Sequence, residues 1–104
     1  MPAMGTGQIE IPKEQIAAFC HKWKIKEFSL FGSILREDFR PDSDVDVLIL
    51  LQDDAPWDLF DWIDMLDELK ALFGRQVDLV EQTAIDNPFR RRQIFKTRQV
   101  IYAA

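Results

Sequence analysis

Apolar and polar positions follow two different periods along this chain. Ile16, Phe19, Cys20 and Trp23 recur at helical spacing, Pro12 suits a first turn, and Glu14 sits close behind it. This pattern predicts a helix over Ile11–Trp23. Phe28–Phe31 then reads as a short strand running into a Gly32-Ser33 step, and Ser33 to about Asp38 as a short helix. Arg40-Pro-Asp-Ser43 is turn chemistry. Asp44–Leu51 predicts a strand: apart from Asp46 it is apolar without alternation, the mark of burial on both faces. Trp57–Phe73 predicts the longest helix, with Leu59, Trp62, Ile63, Leu66, Leu69 and Phe73 as its inner stripe and Gly74 as its stop. Gln76–Glu81 reads as a third strand. Asn87-Pro88 is an N-cap followed by a first-turn proline, opening a helix to about Lys96, and Arg98–Tyr102 closes the chain as a short strand. The alternating order of helices and strands predicts an α/β (α+β) fold: a single mixed β-sheet of about four strands flanked by helices.

The 104 residues suit one domain, 1–104, with enough chain to bury a core. A net charge of -5 argues against direct nucleic-acid binding through overall positive charge. Cys20 and His21 are the only residues of their kinds, which leaves a Cys/His zinc site without ligands. The first residues hold no apolar run of signal-peptide length, and nothing reaches membrane-spanning length. A cytoplasmic protein without membrane contact is the expectation.

The chemistry concentrates between Gly32 and Asp46. Asp44 and Asp46 stand at i and i+2 on a strand, so both side chains point to one place. Paired carboxylates repel unless a positive charge lies between them, and Mg²⁺ with its preference for oxygen ligands meets that need. Gly32-Ser33, as a turn opening a helix, offers free backbone N–H groups and a hydroxyl to a phosphate. Asp78 is one acid amid apolar residues of the third strand, and it approaches the pair if that strand lies beside Asp44–Leu51. Asp44, Asp46 and Asp78 would then hold two metal ions for in-line displacement at phosphorus, with Asp78 on the side of the nucleophile. The plainer alternatives are polar residues at a loop-to-strand junction for the pair and the open face of an edge strand for Asp78. An unpaired acid inside the apolar Asp46 strand would be costly, which favours the first reading.

Gly32-Ser33, the spacer, Asp44-x-Asp46 on a strand and the later Asp78 resemble the minimal nucleotidyltransferase group of the DNA polymerase beta-like nucleotidyltransferase superfamily. The Arg-Pro-Asp-Ser-Asp-Val-Asp run at 40–46 is typical of it, and the resemblance extends over about residues 12–102. It implies the nucleotidyltransferase fold, a nucleoside triphosphate (ATP) as donor, Mg²⁺, and Asp44, Asp46 and Asp78 as catalytic metal ligands. It further implies Gly32, Ser33 and Arg36 as nucleotide-binding residues. Where relatives often carry Arg directly after the Gly-Ser step, this chain has Ile34, with Arg36 two positions on. Many stand-alone members are antitoxins of HEPN-domain ribonuclease toxins, and some transfer AMP to a toxin tyrosine. The resemblance therefore implies a HEPN toxin as partner and acceptor. The alternatives are an antitoxin that acts only by masking its toxin and a transferase acting on a small molecule or RNA end.

Charge is unevenly placed. Residues 53–81 carry nine acids and two basic side chains, while residues 82–104 carry five basic side chains and one acid. Arg90-Arg91-Arg92, with Lys96 and Arg98, reads as a contact for triphosphate, RNA or an acidic partner, or as a solvated helix face. Trp57 and Phe60 beside Asp61, Asp64 and Glu68 read as a partner surface, or, for Trp57, as a cover over the helix start. Cys20 is expected in the core without a catalytic role.

Overall fold

The computed structural model describes residues 11–32 and 44–104. Among these residues three α-helices and four strands follow in the order α1 (Lys13–Lys22), β1 (Ile25–Phe31), β2 (Val45–Leu51), α2 (Leu59–Phe73), β3 (Val77–Glu81), α3 (Pro88–Thr97) and β4 (Gln99–Ala103), with a 3₁₀ turn at Gln82–Ala84. The strands form one sheet in the order β3-β2-β1-β4. β1 runs antiparallel to both β2 and β4, whereas β2 and β3 are parallel. This is the mixed four-stranded sheet with flanking helices that the alternating pattern predicts. The expected short helix at residues 33–38, which includes Ser33 and Arg36, and the turn at 40–43 lie outside the described residues.

Each sheet face buries its own set of side chains. Val45, Val47 and Ile49 of β2, Phe28 and Leu30 of β1, and Val77 and Leu79 of β3 pack with Ile16, Phe19 and Cys20 of α1 and Met65 and Leu69 of α2. On the other face Phe31 and Leu48 pack with Ile85 and with Ile94 of α3. Leu48 and its neighbours in β2 are thus buried from both sides, which is why that strand carries no polar alternation beyond Asp46. Burying a side chain such as Phe28 or Leu48 contributes about 2 kcal/mol each to this core.

The helix ends follow local chemistry. Asn87 caps α3 by accepting from the Phe89 and Arg90 amides, with Pro88 in the first turn. Gly74 ends α2 in the left-handed conformation, φ 69°. α2 begins two residues later than its apolar pattern predicts, because Asp58 forms a reciprocal capping box with Asp61. The buried stripe of α2 also differs from the predicted one. Met65 and Leu69 are buried, Trp62, Leu66 and Phe73 half-buried, and Leu59 and Ile63 exposed. The first turn of α2 lies outside the buried stripe, so the apolar side chains there stay in solvent.

Candidate active site

β2 starts at the point where the chemistry begins. Asp44 is exposed just ahead of the strand, and Asp46 is half-buried within it. The Val45 amide donates to the Gln76 carbonyl at 2.9 Å, which fixes the strand's entry against the segment leading into β3. The parallel pairing then sets Asp46 directly beside Asp78 in register. Register partners in neighbouring strands lie about 4.8 Å apart and project from the same face. The two acids therefore share the face that carries Leu48 and Val80, under α3. On the other side of β2, Asp46 is the register partner of Phe31, whose buried ring belongs to the same face. Asp78 is exposed on β3, an edge strand. Its edge position and its pairing with Asp46 are thus both features of the fold.

Gly32 follows Phe31 and closes over Asp46. Its backbone is left-handed, φ +73°. A Cβ placed on it would lie 3.0 Å from the Asp46 Cγ and overlap its Oδ2. Only glycine meets both conditions, the left-handed backbone and the space already filled by a carboxylate. The sequence pattern assigns Gly32 to the phosphate side; the structure adds that it holds backbone against the Asp46 side chain. Of the remaining expected site residues, Ser33 and Arg36 lie outside the described residues.

Among the described residues no three His, Cys, Asp or Glu gather tightly enough to hold an ion between them. Asp46 and Asp78 place two carboxylates side by side on one sheet face, oxygen donors that could contribute to a cation site. That suits Mg²⁺, which commonly takes one or two protein carboxylates and completes its shell with phosphate oxygens and water.

The 3₁₀ turn and the C-terminal end of α3 are tied to the sheet by a network that sequence reading missed. Glu27 of β1 accepts from Arg98 at 2.9 Å and from the Gln82 side-chain amide at 3.2 Å. Arg98 and Arg91 each set a guanidinium 4.7 Å from the centre of the Phe95 ring, and Arg91 donates to the Gln82 carbonyl at 2.7 Å. The Arg98 hydrogen bond, more than the one from Gln82, lowers the Glu27 carboxyl below its ordinary range. Two of the basic residues expected to face outward are therefore engaged internally, and Arg90, Arg92 and Lys96 remain exposed.

These features match a nucleotidyltransferase domain, whose family signature extends over residues 12–101; the chain belongs to that family and is a nucleotidyltransferase by class. It is 33% identical over 85 residues to the Methanocaldococcus jannaschii protein MJ1217, which covers 82% of this chain and 85% of the relative. It is 30% identical over 81 residues to the protein adenylyltransferase MntA of Thermococcus cleftensis, covering 78% of this chain and 77% of that protein. In fold it resembles a chain of a toxin–antitoxin crystal structure with AMP-PNP, with a TM-score of 0.73, 19% identity and coverage of 90% of this chain and 75% of the other. It also resembles a chain in the structure of a tri-AMPylated Shewanella oneidensis HEPN toxin with MNT antitoxin, with a TM-score of 0.64, 19% identity and coverage of 88% and 70%. No helix among the described residues is long and apolar enough to cross a membrane.

Proposed function

We propose that this chain is a cytoplasmic, Mg²⁺-dependent protein adenylyltransferase that moves AMP from ATP to a hydroxyl of a HEPN-domain toxin, and so acts as its antitoxin. The observation that carries this reading is the in-register pair Asp46 and Asp78 beside Gly32, which leaves room for a carboxylate where any other residue would intrude. The names of the adenylyltransferase and toxin–antitoxin relatives support the acceptor class.

The acceptor oxygen attacks the α-phosphorus of ATP. A P–O bond to the acceptor forms, the bond to the β-phosphate bridge breaks, and pyrophosphate leaves. Bound Mg²⁺ would supply charge neutralisation on the triphosphate and a lowered pKa at the attacking hydroxyl. Asp44 and Asp46 would hold it on the donor side through their carboxylate oxygens, with Asp78 as a further ligand toward the acceptor. Asp78 faces the acceptor and takes its proton. Gly32 lets the backbone approach the phosphates and keeps the Asp46 carboxylate in place, while Ser33 and Arg36 contribute a hydroxyl and a positive charge to the triphosphate. Position and charge carry this chemistry, with no covalent intermediate on the protein.

Co-expression of the chain with a HEPN partner, followed by mass spectrometry of the partner, tests the reading. An added AMP on a partner hydroxyl side chain is expected. An unmodified partner together with rapid adenylylation of a small molecule would refute it.

A further inference from the structure

The molecule's acidic half carries a bipartite surface on the sheet face opposite Asp46. Phe60 is 76% exposed, Leu59 69% and Ile63 46%, three large apolar side chains within two turns of α2. Phe60, Ile63, Asp64, Asp67 and Ala71 recur at helical spacing and form one outward stripe along α2. The acidic end of that stripe borders a groove of about 470 Å³ between α1 and α2, lined by Lys22, Trp23, Asp64, Asp67, Glu68 and Ala71. Within the groove Glu68 is already engaged. It accepts from Lys22 at 2.8 Å and from the Trp23 indole at 2.9 Å. Among the described residues Asp64 and Asp67 make no ion pair, and both are exposed.

We infer that this stripe and groove are a docking surface for an amphipathic helix of another protein, one with an apolar stripe beside Lys or Arg side chains. The apolar turn of α2 takes the helix's apolar stripe, and Asp64 and Asp67 take its cations at the groove. Charge complementarity selects a cationic partner and steers its approach. The aromatic Phe60 supplies the anchor on which affinity rests. An anionic membrane is disfavoured by the same acids. Trp57 takes no part: its ring lies 5.0 Å from that of Trp23, and its indole donates to the Trp23 carbonyl at 2.6 Å. Since α2 packs on the face carrying Val45 and Val47, a helix docked there lies on the opposite side of the sheet from Asp46 and Asp78. The inference does not depend on the transfer chemistry.

The probe is a labelled amphipathic helical peptide of Leu and Lys, titrated into the full chain and followed by fluorescence anisotropy. A Leu/Lys peptide of equal charge but scrambled order serves as control. The patterned peptide binds saturably and at least about tenfold tighter than the scrambled one. Phe60→Ser with Ile63→Ser weakens binding about tenfold or more, with an unchanged melting temperature. Asp64→Asn with Asp67→Asn weakens it several-fold and flattens its salt dependence. Equal binding of both peptides, or full binding by the Phe60/Ile63 variant, overturns the inference. So does a dimer of the chain alone that dissociates when Phe60 and Ile63 are replaced, since the occupant is then a second copy.

Discussion

Gly32 and Asp46 occupy a space that has no room for one more methyl group. The left-handed Gly32 backbone passes so close to the Asp46 carboxylate that any side chain on it would overlap Oδ2. A substitution at Gly32 therefore does two things: it strains a φ of +73°, at a cost of about 1–2 kcal/mol, and it displaces the acid. Gly32→Ala is expected to fold with a lowered melting temperature and to lose affinity for ATP–Mg²⁺ in calorimetry. Wild-type affinity in this variant would mean that the nucleotide is held elsewhere.

Glu27 of β1 ties the sheet to Gln82 and to Arg98 at the end of α3. Its folded carboxyl is lowered from 4.5 by the Arg98 hydrogen bond. A lowered folded pKa contributes stability above the unfolded value, and that contribution is lost as pH falls through the folded one. Urea unfolding should show Glu27→Gln less stable than wild type by about 1 kcal/mol at neutral pH. The gap should stay constant down to about pH 4.5 and narrow below it. A gap independent of pH would place the stabilisation in packing rather than in the Glu27–Arg98 pair.

Cys20 is buried in the α1 core, and desolvation pushes its thiol up to about 12. The thiolate is the reactive form, so the native thiol should be inert to a thiol reagent at pH 8 and react fully in denaturant. Fast labelling of native protein would show that α1 opens away from the sheet.

Much of this architecture is written in local pattern. Asn87-Pro88, Gly74 and the apolar run after Asp46 each encode an element through a mechanism that acts within a few residues. The pairing of Asp46 with Asp78 was reachable by inference from one isolated acid in an apolar strand, although parallel neighbours are joined through a helix and carry no hairpin signal. Other features depend on contacts that sequence periodicity does not encode. Helical spacing gives the period of α2 but not its phase, so Met65 emerges as core while Leu59 and Ile63 face solvent. The strand β1 extends back to Ile25 through Lys26 and Glu27, whose polarity hid it. Glu27 meets Arg98 across 71 positions, a contact that no local pattern announces. That contact, with the bond from Arg91 to the Gln82 carbonyl, turns part of an apparent basic patch into internal bracing.

In the proposed mechanism Asp46 and Asp78 act together in nucleotidyl transfer. The most direct test is transfer of label from α-phosphate-labelled ATP to a co-purified HEPN partner, measured for wild type, Asp46→Asn and Asp78→Asn in the presence of Mg²⁺. Removing either carboxylate withdraws several kcal/mol of transition-state stabilisation, so both variants should lose about 100-fold or more of the rate while keeping the wild-type fold by circular dichroism. Labelling at the wild-type rate by Asp46→Asn would show that transfer proceeds without the Asp46 carboxylate.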